Sequence, residues 1–120
     1  MKDNPRVLVV DDDPEIATML ARALARRGFS VETTSSPDEA LERAARTPYD
    51  AALLDLVMPG QDGRALADGL RERIPGLPIG LLTGYTHSPL LAATERSGMK
   101  VFIKPVVIHE VVEFLQKEIG

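Results

Sequence analysis

Asp11-Asp12-Asp13, Asp55, Thr83 and Lys104 are the residues of this 120-residue chain whose types could do chemistry together. Each stands just after a short apolar run. The acidic triplet follows Val7 to Val10, Asp55 follows Ala51 to Leu54, Thr83-Gly84 follows Pro78 to Leu82, and Lys104-Pro105 follows Val101 to Ile103. If these runs are parallel strands, carboxylates, a hydroxyl and an ammonium meet at one end of a sheet. Carboxylates about 4–5 Å apart repel by roughly 3–4 kcal/mol per pair at an effective dielectric near 20, so something must offset them. A hard, oxygen-seeking divalent cation does so, and Mg²⁺ takes a few carboxylates while keeping several waters; Mn²⁺ could substitute. Lys104 adds a point charge suited to a phosphoryl oxygen. Metal, ammonium, hydroxyl and backbone amides together stabilise charge on a transferring phosphoryl group. In that chemistry Asp55 is the nucleophile and an aspartyl phosphate is the product.

The elements that must hold these residues are legible as a hydrophobic period that switches five times. Val7 to Val10 is a continuous apolar run, as a strand buried on both faces should be. Asp13 can cap a helix, with Pro14 in its first turn and Glu15 near the positive end of its dipole. Ile16, Leu20, Ala23 and Leu24 follow at helical spacing, and Gly28 is the expected left-handed stop. Phe29 to Thr33 reads as a second strand, and Ser36-Pro37-Asp38-Glu39 as a capping box opening a helix through about Arg46. Ala51 to Leu54 is a third strand, Pro59-Gly60 and Asp62-Gly63 mark a loop, and a helix is expected over Arg64 to Arg73. Pro78 to Leu82 and Val101 to Ile103 are the fourth and fifth strands, with a short helix between them from Ser88-Pro89 to Gly98. Ile108, Val111, Val112, Leu115 and Ile119 line one face of the last helix. The expected fold is an α/β three-layer sandwich: a five-stranded parallel sheet covered by five helices, in the doubly wound strand order 2-1-3-4-5. In such folds ligands sit beyond the carboxyl ends of the strands, where strands 1 and 3 diverge.

Length and composition predict one domain over residues 1–120, with its core over 6–119. The net charge of −4 and the lack of any Lys/Arg run longer than two argue against direct nucleic-acid binding. There is no apolar stretch long enough to span a bilayer and no secretory signal pattern, so cytoplasmic residence is expected. The absence of cysteine excludes disulfides, thiolate zinc sites and cysteine nucleophiles.

VLVVDDDPEI, LLDLVMPGQDG, LLTGY and FIKP, in that order, resemble the four landmarks of the response-regulator receiver family of bacterial two-component systems. The resemblance runs from Arg6 to Ile119. It implies that Asp55 is the phosphorylated aspartate, that Asp12 ligates Mg²⁺ directly, and that Asp11 acts through a metal-bound water. It also implies that the Val57 carbonyl is the metal's main-chain ligand. Thr83 is similar to the hydroxyl that reorients toward the phosphoryl group, Lys104 to the lysine that pairs with it, and Gly84 to the small residue that leaves room. The Lys104-Pro105 bond is implied to be cis. The implied donor is a histidine kinase or histidine phosphotransfer protein, facing the first helix with Pro14, Glu15, Thr18 and Arg22 exposed. The implied readout face is the fourth helix, fifth strand and fifth helix, on a monomer or a phosphorylation-dependent dimer, with an effector protein or fused output domain beyond it. Val101 stands where the family commonly carries an aromatic, and by strand alternation Phe102 should face the other side of the sheet. Val57 and Tyr85 stand where small polar groups could admit water, so slow autodephosphorylation is expected.

The plainer readings lie beside these. Asp13 and Asp62 are expected to cap or turn rather than to bind metal, and His109 to sit on a polar helix face. His87 and His109 are not expected to share a metal, and Met19, Met58 and Met99 read as apolar packing. Two other functions remain on the sequence. Asp11 and Asp13 have the Asp-x-Asp spacing of a Mg²⁺-dependent phosphohydrolase, although 120 residues leave no room for a substrate cap and Asp55 then has no role. A receiver-like interaction module that no longer uses phosphate is opposed by the intact acids, threonine and lysine. On the receiver reading the chain is not an enzyme; it catalyses only its own phosphorylation and dephosphorylation.

Overall fold

Four apolar residues in a row suit a strand covered on both faces. In the computed structural model, which describes residues 4–58, 60–84, 89–96 and 99–120, Val7 to Val10 are fully buried. They belong to β1 (Arg6–Val10), which pairs in parallel with β2 (Ser30–Thr34) on one side and β3 (Ala51–Asp55) on the other. A two-residue antiparallel ladder, β4 (Val57–Met58) with β5 (Gln61–Asp62), follows β3. β6 (Ile79–Thr83) then pairs with β3, and β7 (Lys100–Ile103) with β6. The sheet order is β2-β1-β3-β6-β7, which is the expected 2-1-3-4-5 once the small ladder is set aside.

Strand alternation sorts the core into two layers. Val7, Val9, Leu53, Leu82 and Phe102 pack with α1 (Pro14–Ala25) and α5 (Ile108–Ile119). Leu8, Val10, Leu54, Ile79 and Leu81 pack with α2 (Pro37–Arg46) and α3 (Gly63–Arg73). α4 (Pro89–Arg96) lies against β7. Gly80 makes room on the first of these faces: a Cβ there would stand 2.7 Å from Phe102 Cε2. The Phe102 ring occupies that space and meets Phe114 of α5 edge to face, at 5.6 Å between centroids. Among the described residues no helix is long and apolar enough to cross a membrane.

The helix starts follow the sequence closely. Asp13 Oδ1 accepts from the Glu15 amide at 2.9 Å, and Asp62 Oδ1 from the Ala65 amide at 2.8 Å, so both acids are caps as expected. Ser36 Oγ accepts from the Glu39 amide at 3.2 Å. The reciprocal arm of the capping box is missing, because the Glu39 carboxylate pairs with Arg43 and the Ser36 amide donates to Thr34 Oγ1. Gly28 has φ 93°, the conformation that suits a glycine stop.

Several expectations need correction. β3 and β6 run one residue further than expected, to Asp55 and Thr83, and β6 and β7 begin at Ile79 and Lys100 rather than at Pro78 and Val101. β2 begins at Ser30 and ends at Thr34, one residue later than expected, because Pro5 and Arg6 set its register through Ser30. The turn after β3 is partly a ladder rather than a plain loop. α3 starts one residue early, at Gly63. Met19 does not pack: it is 40% exposed, since α1 turns Ala17, Leu20 and Leu24 to the sheet and leaves Met19 on the ridge with Glu15 and Arg22. Met58 is buried and Met99 packs against the α2/α3 layer. His109 is exposed and pairs with Glu113 one turn on. His87, Tyr85 and the expected ends at Ser88 and Gly98 lie outside the described residues.

Candidate functional site

The parallel register determines what arrives at the carboxyl end of the sheet. Asp55 is the last residue of β3 and pairs with Leu82, which puts Thr83 one step further along the neighbouring strand. The Lys104 amide donates to the Thr83 carbonyl at 2.7 Å, carrying the β6–β7 pairing one residue past Ile103 and bringing the lysine to the same end. On the other flank the Asp11 amide donates to the Thr34 carbonyl at 3.2 Å, so β1 leaves the sheet with Asp11 still held by β2. Asp11, Asp55 and Thr83 are buried, whereas Asp12 is exposed.

These side chains meet. Lys104 Nζ stands 3.1 Å from Asp11 Oδ2 and 3.5 Å from Asp55 Oδ2, bridging the two buried carboxylates. One carboxylate oxygen from each of Asp11, Asp12 and Asp55 lies within 4.8 Å of the others. Asp11 Oδ1 accepts from the Asp13 amide at 2.9 Å, and Asp55 Oδ1 from the Val57 amide at 3.3 Å. Asp12, Asp13, Ile16, Val57, Gly84 and Lys104 surround Asp55 at an open mouth of about 490 Å³.

The charges do not balance. Burial and the neighbouring Asp11 carboxylate push the Asp55 carboxyl up to about 6, against the Lys104 ammonium and the Val57 amide, which pull it down. Burial alone would weaken the Lys104 ammonium, but Asp11, and then Asp55, outweigh it and raise that group above its ordinary value. One lysine is therefore shared by more negative charge than it can offset.

Three features fit a divalent cation here. The acidic oxygens converge within 4.8 Å. Asp11 Oδ2 is a buried acceptor that receives no aligned hydrogen bond among the described residues, although the ammonium stands 3.1 Å away. The third feature is backbone. The Gly63 amide donates to the Leu56 carbonyl at 2.7 Å while the Val57 amide turns to Asp55 Oδ1. Val57 and Asp62 are thus the non-hydrogen-bonded pair of the small ladder, and the Val57 carbonyl is left out of it. Hard oxygen donors of this kind suit Mg²⁺ or Mn²⁺.

Asp11, Asp12, Asp55, Lys104 and Val57 are brought to one place, and strand register puts Thr83 at the same end of the sheet, one step past the partner of Asp55. The Lys104-Pro105 bond is cis. Asp13, the acid that a phosphohydrolase would need, is engaged at the start of α1 instead. Val101 lies partly buried against the α2/α3 layer and Phe102 is buried in the α1/α5 layer, as alternation implied. Sequence reasoning missed two contributors. Ile16 packs partly buried against the α1/α5 layer, as its spacing implies, and also lines the mouth. Gly63, which as part of Asp62-Gly63 marks a loop in the sequence, lies against the backbone of Asp55 and Leu56; its position directly after a capping acid is the one signal the sequence carries.

A model of the response regulator receiver domain family matches residues 7–116. The chain is 38% identical over 115 residues to the DNA-binding transcriptional regulator NtrC of Escherichia coli strain K12, covering 95% of this chain and 24% of that protein. It is 36% identical over 110 residues to the transcriptional regulatory protein PrrA of Mycobacterium leprae strain TN, covering 91% of this chain and 47% of that protein. The chain therefore spans about half of one relative and about a quarter of the other. Among solved structures, the CheY-like response regulator receiver domain protein of Methanospirillum hungatei JF-1 superposes with a TM-score of 0.85 at 25% identity, over 98% of this chain and 94% of that one.

Proposed function

We propose, from the premise that this chain belongs to the response regulator receiver domain family, that Asp55 accepts a phosphoryl group from a phosphohistidine donor in two-component signalling. The observation that carries the proposal is the bridging of buried Asp11 and Asp55 by Lys104 at the carboxyl end of the sheet. A carboxylate oxygen of Asp55 attacks phosphorus as the P–N bond to the donor imidazole breaks; the imidazole keeps the bonding pair and, protonated on its other nitrogen, leaves neutral. Lys104, already held beside Asp55, faces the charge that develops on the phosphoryl oxygens. Asp12, Asp55 and the Val57 carbonyl, with Asp11 beside them, would hold Mg²⁺, which would supply further neutralisation when bound.

The acceptor is consumed by its own reaction, so on this reading the chain does not turn over an external substrate. The exposed ridge of α1 is the natural approach for the donor. Pro14, Glu15, Thr18 and Arg22 are exposed there and line, with Met19, an open groove of about 590 Å³. The phosphoryl group adds about −1.5 to −2 charges. We place the response in Thr83 and the chain that follows it, shifting a pre-existing equilibrium read out on α4, β7 and α5. Ile103 and Val107, 42% and 54% exposed, offer apolar surface on that side. Val101 offers no aromatic ring to that response from its position on β7.

Incubation with acetyl phosphate and Mg²⁺, read by intact mass, tests the proposal. One phosphoryl group is expected, greatly reduced by Asp12→Ala and absent in Asp55→Asn; unchanged labelling of Asp55→Asn would overturn it. The label is also expected to be long-lived. Val57, 46% exposed, stands at the mouth where a polar side chain could orient attacking water. After removal of acetyl phosphate, Val57→Asn should lose label several-fold faster than the wild type. Rapid loss from the wild type would refute this.

A further inference from the structure

α3 begins directly against the phosphoacceptor strand. The Gly63 amide donates to the Leu56 carbonyl at 2.7 Å. A Cβ at Gly63 would stand 2.5 Å from the Asp55 carbonyl oxygen, 2.9 Å from Leu56 Cα and 3.2 Å from the Asp55 carbonyl carbon. All three are backbone atoms, so no rotamer change could admit even a methyl group. Gly63 is not among the glycines with positive φ, which means that space, not backbone conformation, demands glycine here. The helix has little freedom to retreat, because Leu66, Ala67 and Leu70 are fully buried in the α2/α3 layer. Asp55 and Leu56 are buried and the Leu56 amide donates to the Leu82 carbonyl at 2.7 Å, so the softer side of the contact begins at Val57, which is 46% exposed and followed only by a two-residue ladder. Relief of a clash would thus fall on the chain just past Asp55, which carries the Val57 carbonyl and the amide that donates to the Asp55 carboxylate.

We propose that Gly63 is a positioning residue for the phosphoacceptor. By letting the first turn of α3 touch the Asp55–Leu56 peptide, it sets where the Asp55 carboxylate and the Val57 carbonyl stand relative to Asp11 and Asp12. This rests on the reading of Asp55 as phosphoacceptor.

Gly69 in the same helix supplies the control. A Cβ there would stand 2.8 Å from Leu41 Cδ2, the tip of a partly buried side chain that can rotate away. Both Gly→Ala changes alter helix propensity in the same direction. Only Gly63→Ala presses on the site. Three readings compare the two variants with wild type: Mg²⁺ affinity by calorimetry, the rate of labelling by acetyl phosphate, and the NMR position of the Val57 amide in metal-free protein. Displacement of about 1 Å at a reacting centre can cost about a hundredfold. Gly63→Ala is therefore expected to lose about tenfold to a hundredfold in affinity and labelling rate and to move the Val57 amide resonance, while Gly69→Ala stays within about twofold on both and leaves the resonance in place. Wild-type affinity and labelling in folded Gly63→Ala, or equal losses in Gly69→Ala, would overturn the proposal. If Gly63→Ala does not fold in buffer, the readings are repeated in trimethylamine N-oxide, which favours burial. Failure to fold even there also overturns it, because the glycine's role is then global stability. Absence of labelling in the wild type would instead reject the phosphoacceptor reading itself.

Discussion

Asp55→Asn should make the metal-free protein more stable at neutral pH by about 1–2 kcal/mol, while leaving it unable to take a phosphoryl group. The stability gain follows from the crowding of charge at the sheet end. The ordinary value for an unfolded aspartate is 3.8, and burial with Asp11 raises Asp55 to about 6 in the fold. A raised carboxyl binds its proton more tightly in the folded state than in the unfolded one. Its contribution to stability is therefore fully present below about 4 and is lost as pH rises through about 6; above that the folded protein holds an unwelcome charge. A displacement of that size corresponds to at most about 3 kcal/mol, and solvent screening at the open mouth reduces it. Asparagine keeps the shape and drops the charge. Urea melts of both proteins from pH 4 to pH 8 without metal should show no difference at the acid end and a plateau in favour of Asp55→Asn above pH 7. Added Mg²⁺ should stabilise the wild type by mass action and the variant much less. A stability difference that does not vary with pH would refute the account.

Lys104→Met should produce the opposite effect. Methionine keeps most of the apolar stem but removes the ammonium that bridges Asp11 Oδ2 and Asp55 Oδ2. The side chains involved are 0–19% exposed, so solvent cannot screen the carboxylates left behind. Breaking a buried pair by deleting one partner costs about 3–5 kcal/mol. Here the loss should fall at or below the lower end of that range, because Asp55 can take up a proton once the ammonium that lowers its value is gone. The loss should thus be larger at pH 8 than at pH 5. In the Asp55→Asn/Lys104→Met double variant part of it should return, giving a coupling of about 1–3 kcal/mol. Some must remain, since Asp11 also loses its counter-charge. Strict additivity of the two substitutions would show that the lysine and Asp55 do not act on each other.

Both expectations depend on groups that are distant in sequence, which bears on how much could be read before folding. The alternation of period-2 and period-3.6 patterns carried the architecture because each element's burial is local information: Val7 to Val10 could only be covered on both faces, and Asp13 and Asp62 could cap from their own side chains. Strand order 2-1-3-4-5 was legible as one of two common solutions, and with it the meeting of Asp11, Asp12, Asp55, Thr83 and Lys104. Apolar residue type alone does not place Met19 in the core: it lies off the stripe of Ile16, Leu20 and Leu24 that α1 turns to the sheet, and stays 40% exposed. The small ladder after β3 was missed because two residues are too few to show a period.

By itself, the sequence determined which groups lie at the ends of which strands, since a parallel sheet sends every strand's carboxyl end the same way. The tertiary structure decided the distances and hence the energetics. Lys104 bridges two acids rather than one, the Asp55 carboxyl rises to about 6, and the Val57 carbonyl stays outside a ladder. It alone brought Gly63 against the Asp55 backbone, because the 2.5 Å that an added Cβ would leave to that carbonyl oxygen depends on how closely a helix docks on a strand. Spacing along a chain reports which elements form; such close approach is set by the packing of several elements at once.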